Sequence, residues 1–599
     1  MDNIKNLYNR FQSYMENGIF IIILAFYPLI KINQGLDVAD TAYSLTNFQY
    51  FPTADGTWMV ATYLANVLGY LFMQFPRGDT LIGMYFYTGM ILSATALIFY
   101  FELRKKIPAA IVFVGEIIAL GLCWCPTTIL YNYLTYLLMD VGVLLLYKGI
   151  CADGQKRVRY LLPAGICLGA NVAVRMPNVV QAAFILALWY VLWLRKEKPA
   201  KCIKDTLICI AGYLIGFGVP FITICVKYGI DAYPKMIQSM FAMTDKAVDY
   251  KPVSMLTGMF GDYIKGLYWL IFAGICLAFL YVVYFLWKKA VPGKGETLFG
   301  MLCIAICCIL IRFYWGRGMF TFDYACHDYR SIYHWAVLFL ILALVCAVYL
   351  LFSKRYDVED KALALLIIIQ IFVTPLGSNN WLFPIINNLF IAAPFTLWLC
   401  GGWLVKSAGK SCHFPWETML ISLFAMVLIQ SIGFHLNFAF NDGIWGEKRD
   451  TIATEIPKCR GIYTTRDNAE MLTELVKYAE ENEFPGQEVI LYGELPGLSY
   501  IFDMPTAIST SWPDLDSYAL GQFVQDMEAV RDNMTESRPK VIVAAPISAY
   551  KSEDAQAYKW FGINEEKYKA DEKLSVLLQF LDDYGYEETF CNMKYAIYE

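Results

Sequence analysis

A long series of apolar runs constrains the fold of this chain more than any other feature of its sequence. The runs recur from near residue 18 to near residue 434, and as helices they are long enough to cross a hydrocarbon core of about 30 Å. Backbone hydrogen bonding allows only helices or closed barrels there, and a barrel would show short alternating strands. With 58% hydrophobic residues, 17% charged residues and a mean hydropathy of +0.45, the chain is predicted to be a polytopic α-helical membrane protein.

The apolar runs and their flanking residues predict thirteen membrane-spanning helices. The expected bounds are 18–32, 81–101, 108–125, 132–149, 160–174, 178–194, 206–226, 266–287, 298–312, 334–353, 362–376, 384–405 and 416–434. Lys and Arg concentrate in alternate loops, as in "KRVR" (156–159) and "RKEKPAKCIK" (195–204). Because such loops favour the cytoplasmic side, the bias predicts a cytoplasmic N-terminus and an extracytoplasmic C-terminus in the cell membrane.

One apolar segment, residues 57–74, conflicts with this alternation. If it crossed the membrane, every later basic loop would face outward. We therefore predict that the first outer loop, residues 33–80, contains interfacial helices, for which Trp58, Tyr63 and Tyr70 are suitable anchors. The alternative is an ordinary span whose partner lies elsewhere.

After about residue 436 the chain becomes charged and alternates between helical and strand patterns. Residues 1–435 are therefore expected to form the membrane region, and residues 436–599 a separate extracytoplasmic domain. Expected helices are 467–482, 516–533 and 571–584, and expected strands are 488–493 and 540–546. This alternation predicts a small parallel α/β sheet. Neither strand is followed by a glycine-rich phosphate loop, and Cys459 and Cys591 can form a disulfide only outside the cytosol.

Two carboxylates follow directly on the first apolar run. Asp37 and Asp40 are three residues apart, so a helix would place them on one face. Partial desolvation under an aromatic-rich loop suits either residue as a general base or as a ligand of a divalent ion. The alternative is a solvated turn followed by an interfacial helix that Asp40 caps.

Positive charge on the expected outer side is scarce, which draws attention to Arg175. A guanidinium at the outer interface is suited to binding a phosphate through its planar fork, and the alternative is a side chain that extends toward lipid headgroups. Further outer cations are Arg312, Arg317, Arg330, Lys235, Lys246 and Lys251. The turn "GSNN" (377–380) offers hydrogen-bond donors, although a turn needs such residues for conformational reasons alone.

Other polar residues have two readings each. Glu116 and Asp140 fall within predicted spans, where a charge is costly, so they are expected to face the bundle interior below a cavity or to form a proton pathway. His327 and Asp328 form an acid–base pair only if both side chains point the same way, which adjacent residues rarely do. The cysteines are not spaced like the ligands of a metal site. No basic tract indicates nucleic-acid binding.

Three short motifs, together with the overall layout, resemble the GT-C superfamily of integral-membrane glycosyltransferases. "DTAY" (40–43) is similar to the acidic motif of their first outer loop, "LYNYLTYLLMD" (130–140) to the entry of their fourth span, and "GANVAVRMPN" (169–178) to their glycine-rich fifth span. The resemblance implies that Asp40 is the catalytic acid or base and Asp37 an auxiliary. It places Arg175, with Arg317 and Arg330, at the donor phosphate. Implied substrate contacts are Tyr43, Asn132, Ser378 and Asn379.

The resemblance also implies a function. An inverting GT-C enzyme transfers a sugar from a polyprenyl-phosphate donor to a glycan, lipid or protein acceptor. Many members carry a second acid in the loop between the third and fourth spans, but "PTTILYN" (126–132) has none. A divalent cofactor, Mg²⁺ or Mn²⁺, is therefore left open. The alternatives are a transporter or flippase for a lipid-linked glycan, and an inactive relative whose C-terminal domain binds glycan or peptide.

Overall fold

The computed structural model shows an apolar helical region followed by a small α/β domain. It describes residues 11–54, 56–244, 252–290, 296–322, 324, 329–378, 380–407, 416–443, 447–534, 538–544 and 571–599.

The helical region begins with a π-helical turn, Met15–Ile19, and contains two 3₁₀ segments, Tyr27–Leu29 and Met176–Phe184. Its α-helices are Phe20–Phe26, Asp40–Tyr50, Gly56–Ala61, Tyr63–Met73, Leu81–Leu103, Ala109–Gly121, Leu130–Cys151, Gly154–Val174, Ile185–Leu194, Pro199–Tyr228, Ala232–Thr244, Pro252–Ala290, Glu296–Trp315, Arg330–Phe352, Val358–Val373, Phe383–Ile386, Ala392–Ser407 and Trp416–Asn437.

Seven helices in the described parts of the chain are long and apolar enough to cross a membrane. They are Leu81–Leu103, Leu130–Cys151, Met176–Leu194, Pro199–Tyr228, Val253–Trp287, Arg330–Phe352 and Met419–Asn437. Each coincides with one of the thirteen predicted spans. The other six predicted runs also contain helices, such as the 7-residue helix Phe20–Phe26 and the 21-residue helix Gly154–Val174. The first run ends as a helix at Phe26, because Pro28 follows in a 3₁₀ turn.

The apolar segment that conflicted with the charge alternation forms two short helices. They are Gly56–Ala61 and Tyr63–Met73, and they are separated by Thr62 with φ −129° and ψ 41°. The second helix has 11 residues, so its rise is about 16 Å, roughly half of a hydrocarbon core. Such a length agrees with helices that lie at the interface.

The predicted basic loops meet at one end of the helical region. Lys106 pairs with Asp360, Lys148 lies 2.8 Å from Glu102, and the Arg195 guanidinium donates to the carbonyl of Ile150. The first outer loop and the α/β domain lie at the other end. The structure therefore groups these loops on one face, as the charge pattern predicted, and the protein is a multi-pass membrane protein.

The helices Gly154–Val174 and Pro199–Tyr228 pack backbone to backbone. A Cβ atom on Gly165 or Gly169 of the first helix would lie 2.2 or 2.1 Å from a carbonyl oxygen of the second. A Cβ on Gly212 or Gly216 of the second would lie 2.2 or 2.1 Å from a carbonyl oxygen of the first. Small residues four apart on both helices permit this approach. The contact fixes the helix that ends immediately before Arg175.

The C-terminal domain contains the five elements expected from its sequence, but its sheet differs from the prediction. The helices are Arg466–Glu481, Leu498–Phe502, Leu520–Asn533 and Glu572–Asp583, and the strands are Thr451–Ile452, Tyr463–Thr464, Val489–Tyr492, Lys540–Val543, Glu588–Cys591 and Ala596–Tyr598. The last four strands form one sheet, in the order Val489–Tyr492, Lys540–Val543, Ala596–Tyr598, Glu588–Cys591.

The two expected strands pair in parallel, as predicted, but the sheet is mixed because the two strands that the sequence did not predict pair antiparallel. The difference comes from the last residues of the chain, which form a hairpin held by the side chain of Asn592. Its Oδ1 accepts hydrogen bonds from the backbone of Lys594 and Tyr595. Cys459 is buried, Cys591 is exposed, and both are free thiols.

The C-terminal domain is attached to the first outer loop by main-chain hydrogen bonds. Gly35 N–H donates to Tyr463 O over 2.9 Å, and Tyr463 N–H donates to Asn33 O over 2.7 Å. Gly497 N–H donates to Val38 O over 2.8 Å. The buried carboxylate of Asp442 accepts from Leu36 N, Thr464 Oγ1 and Asn468 Nδ2 at 2.9, 2.8 and 3.2 Å. These contacts fix the loop that carries Asp37 and Asp40.

Candidate active site

Asp37 caps the short helix Asp40–Tyr50. Its carboxylate oxygens accept from the backbone N–H groups of Ala39 and Thr41 over 2.8 and 2.7 Å. The side chain is buried, and burial raises its pKa, with a further increase from the negative charge of Asp40. The hydrogen bonds from the backbone N–H groups of Ala39 and Thr41 lower the same pKa, because they favour the charged carboxylate. Both carboxylate oxygens of Asp37 therefore bind the backbone at the start of the helix, and this residue stabilises the local structure.

Asp40 is the first residue of the same helix, and it lines a polar cavity. Its Oδ2 accepts from Nδ2 of Asn441 over 3.0 Å, and its carbonyl accepts from the Ser44 hydroxyl over 3.2 Å. Asn441 follows the last apolar helix and has a positive φ of 48°. The sequence did not single out this asparagine, which binds the Asp40 carboxylate although it lies 401 positions later in the chain.

The polar cavity has a volume of about 380 Å³ and is formed by segments that are distant in sequence. The helix that starts at Leu130 contributes Tyr131, Asn132 and Tyr136, and the turn at 377–380 contributes Ser378 and Asn380. Of the expected substrate contacts, the cavity thus brings Tyr43, Asn132 and Ser378 together with Asp40 and Arg175. Asn379 lies outside the described residues. Tyr131 and Tyr136 were not predicted from the sequence as site residues. A signal for Tyr136 was present, because it lies four residues after Asn132 and a helix places such residues on one face.

Arg175 lies directly after the helix Gly154–Val174, where the backbone changes to an extended conformation. Its guanidinium donates to the carbonyl of Gly377. Among the described residues that line the polar cavity, it is the one Lys or Arg, as Asp40 is the one Asp or Glu. The cavity therefore combines a single cation with a single carboxyl group.

A buried amide network holds the turn after Arg175. Nδ2 of Asn178 donates to Thr135 Oγ1 and to Asn171 O, each over 2.9 Å. Nδ2 of Asn171 donates to Gln181 Oε1 over 2.9 Å. Because buried amides are costly unless they are paired, this network defines one geometry for the turn.

An apolar groove of about 640 Å³ adjoins the polar cavity. The two share the residues Tyr43, Ser44, Tyr131, Arg175, Gly377 and Leu515. Beyond them the groove is lined mainly by apolar side chains, including Met176, Val179, Met255 and Leu256. Arg175 thus lies at the junction of a polar and an apolar compartment.

The C-terminal domain covers the polar cavity. Trp512 lies edge-on to Tyr43, with ring centroids 5.4 Å apart, and Leu515 lines both the cavity and the groove. Trp58 of the first outer loop packs on Tyr518 at 5.7 Å. No residue of this domain was predicted from the sequence as part of the site. No local pattern marks Trp512, because its position depends on how the two domains meet.

Several predicted residues lie away from this site. The Arg317 guanidinium lies over the Phe313 ring and donates to the Phe313 carbonyl over 2.8 Å. Arg330 begins the helix Arg330–Phe352, and neither arginine lines the polar cavity or the groove as the structure describes them. Lys246, Lys251, His327 and Asp328 fall outside the described residues.

Glu116 and Asp140 are fully buried in the helical region. Oδ1 of Asp140 accepts from Gln370 Nε2 over 2.9 Å and from Asn388 Nδ2 over 3.2 Å. They face the bundle interior, as predicted, but neither lines the polar cavity within the described part of the chain. The neighbouring Asn387 does so.

The residues around Asp40 do not make an all-protein site for a divalent ion. No group of three His, Cys, Asp or Glu side chains suited to a metal occurs among the residues that the structure describes. Mg²⁺ and Ca²⁺ favour carboxylate-rich oxygen sets, whereas the polar cavity offers one carboxylate, which already accepts from Asn441.

The fold is that of a polytopic helical membrane protein with a C-terminal α/β domain. No protein-family model and no curated protein matches the chain. Solved structures of an oligosaccharyltransferase from Archaeoglobus fulgidus are similar to it, each with a TM-score of 0.45 and each covering 90% of this chain. The complex with Zn and sulfate is 12% identical over 71% of its own chain, and the complex of AglB with an inhibitory peptide and a dolichol-phosphate is 14% identical over 71%. The apo form is 12% identical over 70%.

Proposed function

We propose that this protein is a membrane glycosyltransferase that moves a sugar from a polyprenyl-phosphate donor to a glycan, lipid or protein acceptor on the outer face of the cell membrane. The observation that carries the proposal is the junction at Arg175. There, a polar cavity with one carboxyl group opens into an apolar groove. A substrate that fits both compartments is amphiphilic, with an anionic link between its polar and apolar parts.

The donor phosphate would bind the Arg175 guanidinium, and the first isoprene units would lie in the groove past Met176 and Val179. A guanidinium presents two parallel N–H donors to phosphate oxygens. A lipid-linked donor also agrees with the lack of a glycine-rich nucleotide loop, since sugar nucleotides are not available outside the cell.

Asp40 would act as the general base. Its carboxylate takes the proton of an acceptor hydroxyl, the hydroxyl oxygen forms a bond to the anomeric carbon, and the bond from that carbon to the phosphate oxygen breaks. The electron pair of the broken bond remains on the phosphate. Because this negative charge grows in the transition state, Arg175 stabilises the transition state more than the bound donor. Attack from the side opposite the phosphate inverts the anomeric centre.

The aromatic side chains around the cavity suit a sugar ring. Trp124, Tyr131, Tyr136 and Trp512 line it, together with the amides of Asn132 and Asn387. Aromatic faces pack against the C–H faces of a pyranose, and amide groups bond its hydroxyls. Trp512 belongs to the C-terminal domain, so that domain would take part in binding the sugar or the acceptor.

Replacement of Asp40 by Asn tests this proposal. The amide cannot accept the acceptor proton, so we expect cell-surface glycan formation to fall by about 10² to 10⁴-fold, the usual contribution of general base catalysis. Mass spectrometry of surface glycans and of the polyprenyl-phosphate sugars retained by the purified protein would measure it. Asp79→Asn is the control, because Asp79 is exposed in the same outer loop and does not line the cavity. Unchanged glycan at normal protein abundance would remove Asp40 from the mechanism.

A transporter or flippase for a lipid-linked glycan was the alternative. It would use the same outer cations together with the acids Glu116 and Asp140, and both acids are fully buried. Neither lines the groove or the polar cavity in the described part of the chain. No observation therefore favours transport over transfer.

A further inference from the structure

A second cavity lies at the end of the helical region opposite Asp40. It has a volume of about 460 Å³ and is formed where the helices Leu81–Leu103 and Leu130–Cys151 end. Asn132 of the polar cavity and Lys148 of this second cavity are on the same helix, so they are about 24 Å apart along its axis. The second cavity is therefore separate from the proposed active site by most of the membrane thickness.

The second cavity is lined by apolar side chains and by four lysines. Wall residues include Phe99, Leu103, Val143, Leu144, Ile391 and Trp398. The lysines are Lys105, Lys106, Lys148 and Lys156. Lys156 is exposed, and two thirds of the Lys105 side chain is exposed, so the positive charge lies toward the surface and the apolar walls lie inside.

The acidic side chains at this cavity neutralise the lysines only in part. Glu102 is shared by Lys105 and Lys148, at 2.9 and 2.8 Å, and Lys106 pairs with Asp360. Glu359 is the other carboxyl group of the lining. The lining thus holds four ammonium groups and two carboxylates, and when Asp360 is counted through its ion pair with Lys106, one positive charge remains, the complement of one phosphodiester. The hydroxyls of Tyr147 and Tyr160 also line the cavity and can donate to phosphate oxygens.

We propose that this second cavity binds an anionic phospholipid, independently of glycosyl transfer. The phosphodiester would lie between Lys148 and Lys156, and one acyl chain would occupy the apolar walls. Basic pockets between membrane helices are a known form of lipid-headgroup site, and each nearby Lys contributes about 1 kcal/mol toward an anionic lipid. A free phosphate would use the lysines but leave the walls without an apolar partner, so the walls favour a lipid over the free ion.

The test uses the full-length protein purified in a neutral detergent. Native mass spectrometry and thermal unfolding would compare dioleoylphosphatidylglycerol, dioleoylphosphatidylcholine and inorganic phosphate. We expect phosphatidylglycerol to bind and to raise the unfolding midpoint, with little effect of the other two. Equal protection by phosphatidylcholine, or by inorganic phosphate at the same concentration, would overturn the proposal.

Variants locate the binding. Lys156→Glu should weaken phosphatidylglycerol binding at least about tenfold, because it reverses one charge. Lys198→Glu, an exposed lysine at the same end that does not line the cavity, should leave binding unchanged. Leu144→Trp fills the apolar wall without a change of charge and should also reduce phosphatidylglycerol binding. Binding of a free phosphate ion, which does not use the apolar wall, would not respond to this variant. If Lys198→Glu acts as strongly as Lys156→Glu, or if Leu144→Trp has no effect, the cavity is not the lipid site.

Discussion

Asp37 and Asp40 look alike in the sequence, but their environments in the structure differ. Asp37 is buried and accepts from two backbone N–H groups at the start of its helix. Asp40 lines the polar cavity and is held by an asparagine 401 positions later in the chain. The two differ because Asp37 lies before the helix and binds backbone N–H groups at its start, whereas Asp40 is the first helical residue and lines the cavity.

Arg175→Ala is predicted to weaken binding of a polyprenyl phosphate to the purified protein by about 10 to 150-fold, since a hydrogen bond to a charged group contributes about 1.5–3 kcal/mol. Arg175→Lys should restore part of the affinity but less of kcat, because an ammonium lacks the planar fork. Isothermal titration with polyprenyl phosphate and transfer assays would measure both. Arg77→Ala, an exposed arginine of the same outer loop, is the control. Equal affinities for Arg175→Ala and Arg77→Ala would contradict the assignment.

Among the elements, the helices Gly154–Val174 and Pro199–Tyr228 have the closest backbone contact described above. Their glycines were noted in the sequence only as a glycine-rich fifth span, and the partner helix was not expected to match them. The contact matters for the site because the first helix ends at Arg175. Helix packing therefore determines where the guanidinium lies relative to Asp40.

Gly216→Val should lower thermal stability, since its Cβ would lie 2.1 Å from the carbonyl oxygen of Ile166. Overpacking of this kind costs about 1–3 kcal/mol. Gly218→Val is a matched control two residues away, where a Cβ has no neighbour within 4 Å. Thermal unfolding of the two variants in the same detergent would measure the difference. A midpoint for Gly216→Val that equals that of Gly218→Val would show that the helices do not approach as closely as described.

At the scale of the whole molecule, the C-terminal domain and the first predicted outer loop form one structural unit at the end of the helical region that carries Asp40. Main-chain bonds join residues 33–38 to residues 463 and 497, and Trp512 covers the polar cavity. The domain is therefore predicted to influence the proposed reaction through position as well as through direct contact.

Asp442→Ala is predicted to weaken this docking. It leaves the donors of Leu36, Thr464 and Asn468 without their carboxylate, which costs about 1–3 kcal/mol for each buried unsatisfied group. We expect faster limited proteolysis near the start of the domain and reduced glycan transfer, even though Asp442 does not line the cavity. Asp450→Ala, at an exposed position a few residues away, serves as the control. Proteolysis rates that match between the two variants would argue against docking through Asp442.

The sequence by itself determined the membrane class, the location of seven long helices and the main elements of the C-terminal domain. These depend on local properties: apolar length, amphipathic period and charge at helix ends. Tertiary structure decided the rest. It separated Asp37 from Asp40, moved Arg317 and Arg330 away from the cavity, added an antiparallel hairpin to the expected sheet, and brought Trp512 and Asn441 to the site. These features depend on contacts between residues tens to hundreds of positions apart, which no local pattern encodes.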